Sequence, residues 1–185
     1  MKNINKIYYQ GSKGSYSESV LKSYFPNKQY VECQTFREVV AQTGEDNYGL
    51  LPVENSLVGT VVDSYENLIQ SELIVYGEFK KKITHALIGL KDSKIENIER
   101  VISHPQALQQ CSNFLQDMNV QLQPVFDTAG SVLSLLDEES ENIAGIAGEH
   151  FEGDNRSYGG RISYFVSVKD SVEETKKDSV VIEIM

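Results

Sequence analysis

Residues 50–60 read LLPVENSLVGT, and the polar trio Glu54, Asn55 and Ser56 follows directly on an apolar run ending at Val53. An amide, a hydroxyl and a nearby Gly59 and Thr60 can hydrogen-bond a small anion, or they can simply satisfy a loop backbone. Three other stretches carry groups of the same kind: GSKGSYSES from Gly11, with Ser15 and Tyr16; SHPQA from Ser103, with His104, Gln106 and Ala107; and DTAG from Asp127, with Thr128. Each precedes a segment whose pattern predicts a helix, and helix N-termini present unpaired N–H groups and positive partial charge to anions. The chemistry on offer is recognition of a small molecule. The glycine loop is no phosphate-binding fingerprint, because the Gly-x-Gly-x-x-Gly order is missing and Lys13 does not follow the last glycine. His85 and His150 lack metal-ligand spacing and are expected in packing or surface roles, and Cys33 and Cys111 form neither a CxxC pair nor a disulfide framework.

The elements that must position these residues alternate between strand and helix, the signature of an α/β fold. Residues 4–9 read as a first strand, and Ser15 with Glu18 has capping-box spacing, which predicts a helix from Tyr16. A strand over 48–53 follows, then Thr60 and Asp63 with capping spacing and an apolar stripe of Val61, Val62, Tyr65, Leu68 and Ile69. A third unit has a strand over 100–104 and a helix opening at Pro105, with Leu108, Cys111, Leu115 and Met118 spaced as core residues. His104 is placed either to cap that helix or to meet a ligand. A fourth passes from Val125 and Phe126 to Asp127 and Thr128 as candidate caps, and a short strand covers 143–147. In open α/β sheets ligands bind beyond the C-terminal ends of the strands, where these four loops fall. Residues from Glu78 and 161–168 read as further strands, two candidate crossings between lobes.

Composition narrows the function classes. The 185 residues carry 17 basic and 27 acidic groups, a formal charge of −10, which argues against nonspecific nucleic-acid binding. An anionic ligand must therefore be held by local devices: helix N-termini, amides, hydroxyls or a few placed cations. The N-terminus, MKNINKIYYQG, lacks a signal peptide's apolar run and no segment reaches membrane-spanning length, so a cytoplasmic protein with no membrane partner is expected.

GSKGSYSE, LLPVENSLVGTVVDSYENL, ITHALIG, VISHPQALQQCSNFL, DTAGS and IAGIAGE, in this order, resemble the catalytic domain of prephenate dehydratases. The resemblance implies two α/β lobes similar to type II periplasmic binding proteins, with the active site in the cleft between them. The two crossings set the expected boundaries at 1–78 plus 163–176 for lobe 1 and 79–162 for lobe 2, which fit that architecture, and 177–185 resembles the first strand of a truncated ACT regulatory domain. It further implies decarboxylating dehydration of prephenate to phenylpyruvate in phenylalanine biosynthesis, needing no metal or other cofactor, by a homodimer or homotetramer. Substrate binding would then fall to Asn55, Ser56, Gly59, Thr60, Ser103, His104, Gln106, Ala107, Thr128, Ser15, Tyr16 and Phe165. Glu54 would accept from neighbouring backbone donors, since a bare carboxylate repels a dianion.

The family's proton-donating Thr belongs to a Thr-Arg-Phe motif, and the matching residues here are Ser163, Tyr164 and Phe165. Serine keeps the hydroxyl but loses the methyl that restricts χ1, which implies a less firmly aimed catalytic donor and a slower enzyme. Tyr164 supplies no charge, leaving Arg161 or Arg156 to do so. A second register sets Ser157, in NRSYG, in the donor's place; Ser163 is preferred because it leads into Phe165, Val166 and Val168, whereas Ser157 leads into two glycines. Two alternatives stay open: a noncatalytic small-anion binding or sensor protein on the same fold, and a non-aromatising prephenate decarboxylase, whose relatives tend to lose the Glu-Asn-Ser segment. SVVIEIM has no local pairing partner and is expected to start an ACT domain or to add to a partner's sheet.

Overall fold

The structure, a computed structural model, describes residues 6–44, 46–56, 59–151, 162–168 and 178–184, the last two segments as backbone. The chain divides into two compact units, Met1–Ile83 with Glu174–Met185, and Thr84–Glu173.

Unit 1 is built from β1 (Lys6–Gln10), α1 (Tyr16–Tyr24), β2 (Gln29–Cys33), α2 (Phe36–Gln42), β3 (Asn47–Asn55), the short β4 (Gly59–Thr60), α3 (Val62–Ile69), β5 (Val75–Lys82) and β11 (Asp178–Ile184). Its sheet runs β2-β1-β3-β11-β5, with β4 paired to β3. The first three strands are parallel, and β11 runs antiparallel to both of its neighbours. One face packs Ile7, Tyr9, Val20, Leu21, Tyr48 and Leu50 with Phe25 and Phe79; the other packs Tyr8, Cys33, Val39 and Leu51 with Leu68 and Leu73. The alternation along β1 and β3 thus feeds two cores, as expected of a sheet with helices on both faces.

Unit 2 repeats the plan. Its elements are β6 (His85–Leu90), β7 (Arg100–Ser103), α4 (Pro105–Gln110), α5 (Ser112–Met118), β8 (Gln121–Pro124), α6 (Thr128–Glu138), β9 (Ile143–Gly148) and β10 (Ile162–Val168), with sheet order β10-β6-β9-β7-β8. Strands β8, β7 and β9 are parallel, β6 runs antiparallel to β9, and the edge strand β10 runs antiparallel to β6. Each sheet is therefore a parallel trio, then an antiparallel strand reached from the other unit, then an antiparallel edge. The α/β class with two lobes holds.

Several expectations are corrected. The division falls between Ile83 and Thr84, not at residue 78, because β5 stays in the first sheet through Lys82, paired to Asp178. Residues 163–168, assigned to lobe 1, belong to unit 2, where β10 pairs with β6. SVVIEI is neither unpaired nor the start of a separate domain: β11 lies between β3 and β5. Its partners are more than 90 residues away in sequence, where local pattern gives no view of pairing. The helix after Pro105 is two helices broken at Cys111, although Leu108, Cys111 and Leu115 do fill the core.

Candidate active site

The loop after β1 folds back on its own helix. Gly11, at φ +117°, donates its N–H to the Cys33 carbonyl, in a region L side chains rarely adopt. Ser15 is the N-cap of α1, its Oγ accepting from Glu18 N at 3.3 Å, and the buried Glu18 carboxylate accepts from Gly14 N at 2.7 Å and pairs with Lys22. This is the predicted capping box, reaching one residue further back than the simplest form. Tyr16 opens the helix, half-buried. Thr35 and Glu38 build the same device on α2, with Glu38 accepting from Gln34 N at 2.7 Å. Sequence reading missed this second box although T-F-R-E has the same spacing.

The PVENS segment differs from its expected form. Glu54 and Asn55 extend β3 and pair with Thr60 and Gly59 of β4, forming a hairpin that precedes α3. Thr60 is thus a strand residue rather than a helix cap; Val61 takes the N-cap position with no side-chain hydrogen bond. The physical cause is register, since Val61 N bonds to Val53 O and holds the chain extended until residue 61. Glu54 is exposed and its carboxylate takes no hydrogen bond from the described residues, so the acceptor role expected of it is not seen. Asn55 is half-buried, Ser56 exposed, and Gly59 holds φ +87° at the hairpin. The stripe expected on α3 is also redistributed: Val62 and Ile69 are 57% and 77% exposed, and Ser64 is the residue fully buried.

In unit 2, Ser103 ends β7 fully buried and donates its hydroxyl to the Ile146 carbonyl at 2.7 Å. Its side chain ties β7 to β9. His104 caps α4, its Nδ1 accepting from Gln106 N at 3.3 Å ahead of Pro105 at the first helical position. Gln106 is half-buried on the first turn and Ala107 is buried against the core. His85 is buried, its Nε2 2.6 Å from Gln110 Oε1 on α4; this pins α4 to β6. Asp127, not Thr128, caps α6, its two carboxylate oxygens accepting from Ala129 N and Gly130 N at 3.2 and 3.1 Å. Thr128 is the first helical residue, half-buried. Ser163 is the second residue of β10, opposite Gly89, and Phe165 stands at a register shift between Tyr164 and Val166, a backbone feature that re-aims side chains. Arg156, Ser157 and Arg161 lie outside the described residues.

Within unit 1 the structure gathers the loops after β1, β2 and β3 at one end of the sheet, and within unit 2 those after β7 and β8. Three helix N-termini there, of α1, α2 and α6, already hold the protein's own carboxylates, Glu18, Glu38 and Asp127. Two do not. The α4 terminus has an imidazole cap and no acidic residue in its first turn; α3 has no side-chain cap, and its exposed Asp63 makes no capping bond. These two helices follow SHPQA and PVENS. Among the described residues no cluster of His, Cys, Asp or Glu is placed to hold a metal, and no helix is long and apolar enough to cross a membrane.

Comparison with known proteins sets this arrangement in a family. The family model described as prephenate dehydratase matches residues 7–155, ending before β10. Arogenate dehydratase/prephenate dehydratase 2, chloroplastic, of Arabidopsis thaliana is 37% identical over 147 residues, covering 78% of this chain and 38% of that protein. The chain spans well under half the length of that relative. Among solved structures, prephenate dehydratase from Arthrobacter aurescens in complex with L-Phe superposes with TM-score 0.81 at 20% identity, over 97% of this chain and 59% of that one. A protein described as GqqA, a novel type of quorum quenching acylase, gives the same TM-score at 23% identity, over 97% of this chain and 63% of that one. At these identities the structures share the fold, and the fold alone does not choose between activities. The extent of the family match decides membership: the chain belongs to the prephenate dehydratase family.

Proposed function

We propose that this chain is the catalytic domain of an enzyme that converts prephenate to phenylpyruvate. One observation supports this beyond family membership: each unit leaves one helix N-terminus uncommitted to an internal carboxylate, and those termini follow the PVENS hairpin and SHPQA. A protein of charge −10 that takes a dicarboxylate needs such local donors.

In the reaction the bond from the ring to its carboxylate breaks, releasing carbon dioxide. The electron pair enters the ring, the ring C–O bond breaks, and the departing hydroxyl gains a proton to leave as water. Aromaticity drives the step, so the protein's tasks are to hold the ring, fix the carboxylates and donate to the leaving oxygen. A positioned donor is typically worth about 100- to 10,000-fold. Ser163 fills that role in this reading, from the start of β10; Gln106 and Thr128 are the substrate-binding candidates of unit 2, and Asn55 and Ser56 those of unit 1.

The test is incubation of the purified chain with prephenate and measurement of phenylpyruvate. Turnover abolished in Ser163→Ala supports the reading; a decarboxylated non-aromatic product, or tight binding without turnover, refutes it. Loss of activity in Ser157→Ala alone moves the donor to the other register. The relative named for both substrates favours a second reading, arogenate as substrate, and the same assay with arogenate in parallel distinguishes the two.

A further inference from the structure

The run Lys80–Lys81–Lys82 stands in the sheet two strands from the PVENS hairpin. Antiparallel pairing through β11 aligns Thr60, Glu54, Val180 and Lys80 in one row, and Gly59, Asn55, Ser179 and Lys81 in the next. Lys82 lies opposite Asp178. Residues directly opposite in a ladder project to the same face, so Asn55 and Lys81 share a face, about 10 Å apart at two strand spacings. An extended lysine side chain closes most of that gap. Lys81 is half-buried, in phase with Phe79, whose ring centroid lies 4.4 Å from that of Tyr24 at the end of α1 and 5.6 Å from that of Phe25, its C-cap.

The three lysines differ in their surroundings. Lys80 shares its row with Glu54, and Lys82 faces the register position of Asp178, so each has an acidic residue in line. The row of Lys81 holds none. No ion pair or hydrogen bond engages the side chain of any of the three among the described residues. Lys81 is thus a half-buried cation with no side-chain partner among the described residues, in line with Asn55 and the positive-φ Gly59.

We infer that Lys81 is a substrate-binding residue, drawing a carboxylate of the small dianion to the β3–β4 hairpin and holding it beside Asn55. The inference rests on the reading of that hairpin as part of a carboxylate site. Lysines on an edge strand have another use, discouraging strand-to-strand association, and β5 ends the described sheet. The two roles give opposite results on substitution.

Steady-state kinetics with prephenate are compared for wild type, Lys81→Gln, Lys81→Arg and Lys94→Gln, a control on unit 2, together with sedimentation of each. Lys81→Gln raises KM about two- to fivefold, the range of an exposed to partly sheltered ion pair, and leaves kcat unchanged. Lys81→Arg restores KM, Lys94→Gln has no effect, and the wild-type KM rises more steeply with salt than that of Lys81→Gln. Equal KM and equal salt response in wild type and Lys81→Gln overturn the inference, as does self-association of Lys81→Gln with KM unchanged. Where wild type binds prephenate without turnover, calorimetric Kd replaces KM: the proposed function fails, while a weaker Kd in Lys81→Gln still supports the site. Absence of any prephenate binding by wild type overturns both.

Discussion

Replacing Gly145 by alanine tests the contact that seats α6 on the second sheet. Gly145 is the middle of β9, and a Cβ there would lie 3.0 Å from Val132 Cγ2, 3.2 Å from Ser131 Oγ and 3.4 Å from Val132 Cα. Optimal carbon–carbon separation is about 3.5–4.0 Å, so the helix must retreat by a few tenths of an ångström. Val132 cannot rotate away cheaply, because a β-branched residue in a helix keeps one strongly preferred rotamer, and it is fully buried. The backbone contact is with the helix itself. Overpacking of this kind costs about 1–3 kcal/mol. With a urea slope of about 1–3 kcal/mol/M the midpoint for unit 2 falls by about 1 M.

The assay is urea unfolding followed by far-ultraviolet circular dichroism, with amide exchange across α6 and β9 to assign the loss to unit 2. A second variant makes the reasoning refutable: Val132→Ala removes Cγ2 and should destabilise the wild-type background more than it does Gly145→Ala. The coupling should exceed about 0.5 kcal/mol, as for contacting residues. Because α6 carries Asp127 and Thr128 at its start, Gly145→Ala should also raise KM. An unchanged midpoint, or simple additivity of the two substitutions, would falsify the contact as the cause.

Two further outcomes follow from the caps and the buried thiols. Asp127→Ala should destabilise unit 2 by about 1–2 kcal/mol, the upper part of the range for an N-cap with dipole interaction, while Asp127→Asn should lose less than half of that; a loss in Asp127→Asn equal to that of Asp127→Ala in thermal unfolding would refute capping by the side-chain oxygen and leave the charge as the cause. Burial, assisted by Glu38, pushes the Cys33 thiol above its ordinary value, so the folded state favours the protonated form; the stabilisation is complete below the unfolded value and is lost as pH rises through the folded one. Cys33 and Cys111 should react with a thiol reagent at mildly alkaline pH only as fast as the protein opens, and rapid native labelling of Cys33 would contradict this.

Local signals were legible where the physics is local. Ser15 and Glu18 gave the start of α1 because capping is decided within four residues, and Leu108, Cys111 and Leu115 were recognised as core by spacing. Thr60 misled because the same local spacing was overridden by pairing with Glu54, a tertiary choice made by the β3–β4 hairpin. Ser103 shows the same limit differently: its hydroxyl is bound 43 residues away at Ile146, a partner that no local spacing reveals. The position of β11 depends on pairing with β3 and β5, which no window of sequence contains. The candidate site divides in the same way, its loops readable in order and its cation, Lys81, visible only once register sets it in line with Asn55.

The helix N-termini carry this further. Five helices begin at the ligand ends of the two sheets, and a dipole is worth about 0.3–1 kcal/mol to an exposed anion. The chain spends three of them on carboxylates of its own, which fixes the loops after β1, β2 and β8 without an external partner. Those loops are then already ordered before a ligand arrives. What remains for an external anion is one unfilled terminus in each unit, at α3 and α4, together with the neutral donors before them. Such a distribution suits selective binding in an acidic protein: general positive potential is absent, most dipoles are satisfied internally, and affinity must come from the few positions where sequence and register leave a donor or a cation not bonded to an internal acid.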